Sequence, residues 1–101
     1  MKNFLIIFLI FFFTERAFSN DNMELGLDVY NNKAQCGVCH SLQAAGSEGQ
    51  IGPNLDMLKP QMEQIILAVT NGIGVMQPWE GILTKEEIEA VAYYVFTSTS
   101  K

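Results

Sequence analysis

Three stretches of the chain carry apolar residues at helical spacing, and two irregular stretches separate them. The first helix is expected over residues 21 to 32. Asp21 with Glu24 three positions on suits an amino-terminal cap, and Gly26, Val29 and Tyr30 share one face. The second is expected from Pro60 to Asn71, with Met62, Ile65, Ile66 and Val69 as its apolar stripe. Proline is tolerated in a first turn and Gly72 makes a stop. The third opens on Thr84-Lys85-Glu86-Glu87, a capping box, and points Ile88, Val91, Ala92 and Val95 inward. It is expected to end between Phe96 and Ser98. No strand pattern is evident, so the periodicity predicts an all-α domain. Residues 44–58 are glycine-rich and contain Pro53, while residues 72–83 hold three glycines, Met76, Pro78 and the only tryptophan, Trp79. Loops placed by a helical frame are where function concentrates.

A fourth apolar stretch is of another kind. Lys2 precedes ten consecutive apolar residues, Phe4 to Phe13, and Ala17-Phe18-Ser19 follows. A positive start, a short apolar core and small residues before a cut make a secretory signal peptide. The expected division is a signal peptide over residues 1–19, cleaved after Ser19, and one domain over residues 20–101. The apolar run is about half the length a membrane-crossing helix needs, so no permanent membrane anchor is expected. Export places the domain in the periplasm.

Cleavage would leave 82 of the 101 residues, with ten acidic against four basic side chains and a net charge of −6. Such a surface carries no basic patch, which excludes nucleic acid as a partner and suits a basic docking face on a protein. A domain of roughly 80 residues rarely gains more than about 3–5 kcal/mol from its core alone and usually needs a staple. A disulfide between positions 36 and 39 would close almost no loop and barely restrict the unfolded chain.

Cys36-Gly37-Val38-Cys39-His40 holds both cysteines and the only histidine. Four explanations compete for it. Structural zinc needs four ligands, and the chain owns three residues of the usual types. A thioredoxin-type redox pair needs a strand leading into its helix, but here a helical pattern precedes the motif. A plain disulfide meets the loop-size objection. Covalent haem attachment, for which Cys-x-x-Cys-His is the signature, accounts for the spacing. Two thiols three residues apart lie on one side of a turn, matching two vinyl groups, and the next residue delivers an imidazole to the iron. A bonded haem would also be the missing staple.

With its exported precursor, the motif resembles the small monohaem class I cytochromes c, and the resemblance spans the chain from Gly26 to about Phe96. Gly26 and Tyr30 look like the family's first-helix pair, and Tyr94 like the aromatic on the last helix that packs on them. Ile51-Gly52-Pro53-Asn54-Leu55 is similar to the element whose proline carbonyl accepts the histidine's outward proton. Asn71 to Met76 looks like the loop bringing in a distal methionine. Met57 is the rival ligand, whereas Met62 reads as core and Met23 as packing. In many relatives proline directly follows the methionine; here Gln77 intervenes before Pro78.

The resemblance implies a compact fold of three main helices wrapped around one haem c, held through Cys36 and Cys39. His40 and Met76 would be the metal ligands and Pro53 their support. Ile51, Leu55, Ile66, Val69 and Val75 would supply apolar cover, and Trp79 could reach a propionate. The implied function is one-electron transfer between a dehydrogenase and a respiratory acceptor, with no catalytic residues. Two alternatives stand beside it: a ligand-binding or sensing haem protein with a loose Met76, and a permanently bound haem subunit of an oxidoreductase. The Gly-Pro-Asn-Leu run, the methionine loop and the small size are similar to cytochromes that accept electrons from periplasmic sulfite dehydrogenases. An oxidase or larger cytochrome would then be the acceptor. Glu86, Glu87 and Glu89 are candidates for steering a partner, against a plainer role as a solvated helix start.

Overall fold

The computed structural model describes residues 21–100. The signal segment and its cut after Ser19 lie outside the described residues. Residue 21 is already helical, so Asp21 is not the cap, and the first helix, α1, is described over residues 21–28. At residue 28 α1 passes into a π-helical turn, Val29–Lys33, closed by Ala34 N–H donating to Val29 O at 2.8 Å. The widened turn ends the helix, and Gln35, in the left-handed region at φ 50°, redirects the chain into a single 3₁₀ turn, Cys36–Val38.

The stretch expected to be irregular contains two small elements. Strands β1 (Ser41–Leu42) and β2 (Ser47–Glu48) pair antiparallel, with Ser41 opposite Glu48 and Leu42 opposite Ser47. One helical turn, α2 (Leu55–Leu58), is capped by Asn54, whose side chain accepts from Met57 N–H at 3.2 Å. Helix α3 (Met62–Asn71) starts two residues later than expected. Gln61 is its extended cap residue and takes up the side chain of Gln64 through its own N–H at 2.9 Å. Helix α4 (Lys85–Thr99) opens on the expected capping box: Thr84 N–H donates to Glu87 Oε1 at 2.8 Å and Glu87 N–H to Thr84 Oγ1 at 3.1 Å. It runs one residue past the expected end, where the Thr99 hydroxyl donates back to Val95 O at 2.9 Å.

Helix α4 is the centre of the packing, lying against α3, α2 and the π turn. Its inward residues Ile88, Val91, Ala92, Tyr94 and Val95 join Val29, Tyr30, Leu42, Leu55, Ile65 and Val69 in one core. The crossing of α1 over α4 is closed by Gly26. A β-carbon there would lie 2.3 Å from Ala90 O and 2.5 Å from Tyr94 Cβ, so only glycine permits this approach. One turn further on, the rings of Tyr30 and Tyr94 meet at a centroid distance of 6.0 Å and an angle of 55°. Across the outside, Lys33 at the end of the π turn forms an ion pair with Glu87 at the start of α4. Among the described residues, no helix is long and apolar enough to cross a membrane.

Candidate functional site

The site is built on the tight passage from the π turn to β1. Within it His40 N–H donates to Cys36 O at 2.9 Å and Cys39 N–H to the same carbonyl at 3.2 Å. Both cysteines are half-buried and free. Burial pushes the Cys36 thiol up to about 11. A thiol held protonated at neutral pH is a poor exchange nucleophile, which disfavours a thioredoxin-like pair.

The chain returning from β2 fixes His40. Gly52 N–H donates to Cys39 O at 2.7 Å, binding the returning loop to the motif. A β-carbon at Gly52 would sit 2.6 Å from Cε1 and 2.9 Å from Nδ1 of the imidazole, so the ring lies flat against bare backbone. His40 Nδ1 and Pro53 O are 2.7 Å apart. A carbonyl can only accept, so Nδ1 carries the ring proton and Nε2 is left with its lone pair. The carbonyl that accepts this proton belongs to the Gly52-Pro53 element. Tyr30, whose ring lies beneath the motif, shares a hydrogen bond with Ser47 Oγ at 2.9 Å and ties α1 to the β1–β2 hairpin.

A cleft of two adjoining lobes opens beside these groups, and Cys36, His40 and Met76 border both. The inner lobe is walled by Leu55, Ile65, Val69, Val91, Val95 and Tyr30, from four separate elements. Cys39, Val38, Ile51, Val75 and Trp79 edge the outer lobe. Among the described residues, no Asp, Glu, Lys or Arg lines either lobe. Two thiols, an imidazole with a free lone pair and a thioether thus converge on an apolar cleft, a donor set that fits a thioether-linked porphyrin.

The predicted residues divide cleanly. Cys36, Cys39, His40 and Met76 share the cleft, and Pro53 stands behind the imidazole. Met57 is 81% exposed and borders neither lobe, while Met62 and Met23 pack on the core. Of the five apolar cover residues, Leu55 and Val69 wall the inner lobe. Ile51 and Val75 border the outer lobe. Ile66 packs on the core and borders neither lobe. Ile65, Ala68 and Val69 form the part of α3 that meets the cleft, and Ile66, at the edge of the same stripe, does not. Glu87 is not a free surface charge: Lys33 and the Thr84 cap hold it, and those bonds keep its carboxyl below the usual range.

Residues 21–95 match the family described as cytochrome c oxidase, cbb3-type, subunit III. The chain belongs to the small monohaem class I cytochromes c. It is 34% identical over 87 residues to a cytochrome c6 of Tetradesmus obliquus, covering 76% of this chain and 93% of that protein. A cytochrome c6 of Porphyra purpurea is 32% identical over 93% of this chain and 86% of its own length. Among solved structures, the c-type cytochrome SorU from Sinorhizobium meliloti superposes with a TM-score of 0.76 at 48% identity. That match covers 81% of this chain and 95% of SorU. This cytochrome is therefore an electron-transfer protein carrying covalently bound haem c, with Cys36 and Cys39 as its Cys-x-x-Cys pair.

Proposed function

We propose that this cytochrome is a periplasmic one-electron shuttle whose axial ligands are His40 and Met76. The observation that carries the reading is the bond from His40 Nδ1 to Pro53 O, because it leaves Nε2 as the donor nitrogen beside a cleft that Met76 also borders. When bound, the haem supplies a one-electron iron couple. The rest of the work falls to the chain. Pro53 and Gly52 hold the imidazole in one orientation and one tautomer. A thioether is a weak donor that favours reduced iron, and the uncharged walls disfavour the extra positive charge of oxidised iron. Both push the potential upward. With His40 and Met76 both holding the iron, no position would be left for a substrate, and the chemistry supplied would be one-electron transfer.

Val38, Ile51 and Val75 border the outer lobe and form an uncharged rim on which a partner makes brief contact. The residues shared with cytochromes that serve periplasmic sulfite dehydrogenases make such an enzyme the proposed donor, with an oxidase or a larger cytochrome as acceptor. Potentiometric titration of the Met76→Ala protein tests the ligand assignment. The haem should stay attached while the potential falls and the weak far-red band of a thioether-ligated oxidised haem disappears. If Met57→Ala produces these changes and Met76→Ala does not, the assignment is wrong.

A further inference from the structure

The methionine loop lacks the Met-Pro dipeptide that stiffens it in many relatives, since Gln77 separates Met76 from Pro78. The structure shows what takes its place. Ile73 and Met76 form an isolated antiparallel bridge, Ile73 N–H donating to Met76 O at 3.1 Å and Met76 N–H to Ile73 O at 2.9 Å. Gly74 sits at the turn tip with φ 58°, in open space. Behind the turn, Gly72 closes α3 with φ 74° and ψ 162°, a region open essentially to glycine alone. Its bare α-carbon abuts the strand carrying the methionine. A β-carbon there would lie 2.6 Å from Met76 O, 2.8 Å from Pro78 N and 2.9 Å from Gln77 C. All three are backbone atoms, which cannot swing aside as a side chain can. Beyond the loop, Trp79 N–H donates to Val69 O at 2.8 Å and anchors the far end to α3.

We infer that Gly72 is a positioning residue for Met76: its contact with the 76–78 backbone, together with the Ile73–Met76 bridge, does the work of the missing Met-Pro dipeptide. The inference rests on Met76 being the iron ligand and adds how that sulfur is kept in the cleft. A β-carbon at Gly72 must move the 76–78 strand outward, and the methionine moves with it. Met76 itself is untouched in such a variant, so the effect reports position and not chemistry.

The test compares holoproteins with native attachment: wild type, Gly72→Ala, Gly74→Pro, Gly74→Asn and Met76→Ala. Proline cannot adopt the positive φ of the turn tip and opens the bridge from its exposed side, without touching α3. Asparagine tolerates that φ and serves as the conservative control. The readouts are the far-red thioether band of oxidised protein and carbon monoxide binding to reduced protein, a probe of an open iron position. Confining a non-glycine residue to the conformation of Gly72 shifts the bound-to-released methionine ratio by about tenfold or more. Gly72→Ala and Gly74→Pro should weaken the band and raise carbon monoxide affinity by that factor, while Gly74→Asn behaves as wild type. Should Gly72→Ala not accumulate, Gly74→Pro decides the question alone. Full band intensity and unchanged carbon monoxide affinity in the recoverable loop variants, with the band lost in Met76→Ala, would overturn the positioning role and leave the ligand reading intact. Retention of the band in Met76→Ala would sink the ligand reading itself.

Discussion

Tyr30 shows how one side chain serves both fold and cleft. Its ring walls the inner lobe and meets Tyr94 at a tilt, and its hydroxyl is satisfied by Ser47. Burial raises its pKa from about 10 to about 12. A group whose pKa is raised by folding contributes stability that is fully present below its unfolded value and lost as pH climbs to the folded one. Stability measured by denaturant titration should therefore fall between pH 10 and 12. In Tyr30→Phe the neutral-pH stability should drop by about 1 kcal/mol for the lost hydrogen bond, and the alkaline fall should be shallower. An equally steep fall in the variant would remove Tyr30 as its cause. Glu87 works in the opposite sense. Its lowered pKa stabilises above the ordinary carboxylate range and is lost as pH falls below it.

At the scale of elements, Gly26 decides whether α1 can cross α4. Gly26→Ala forces a methyl group into the Ala90 carbonyl and should cost about 3 kcal/mol, at the upper end for overpacking. Thr84→Ala removes only a cap and should cost about 1 kcal/mol. Thermal melts of the two holoproteins check the order, and a cap variant as damaged as the crossing variant would contradict it. These elements were legible in the sequence because each carries a local signal. Apolar residues recur every three or four positions in α3 and α4, and Thr84-x-x-Glu87 marks a helix start. The π turn, the β1–β2 hairpin and α2 were not legible. A two-residue strand or a single helical turn has no periodicity, and these pieces are held by contacts far along the chain. Ser47 reaching Tyr30 is one such contact, and Gln43 N–H donating to Asp56 Oδ2 at 2.7 Å is another. The candidate site was legible for the same kind of reason. Cys36, Cys39 and His40 fall within five positions, and Gly52-Pro53 and Met76 stand in short distinctive runs. Ile66 packs on the core and borders neither lobe, which hydrophobicity alone does not reveal.

For the whole molecule, a covalently bound haem would supplement a core that a domain this small keeps limited. Removing either thiol should therefore cost the fold as well as the chemistry. Cys36→Ala and Cys39→Ala are expected to abolish accumulation of folded protein, measured by protease resistance. The rim of the cleft makes a second statement at this scale. Electrostatic steering raises association rates by ~10–10³, falling steeply with salt, so an uncharged rim predicts a salt response below that range in stopped-flow reduction by a physiological donor. A steep response would shift attention to Glu86 and Glu89 on α4. The most direct test of the account is the intact mass of natively matured protein. It should equal the mature chain plus one haem that survives denaturation, and the addition should vanish in a Cys36→Ala, Cys39→Ala double variant. A natively matured chain with no added macrocycle would contradict the account at its root.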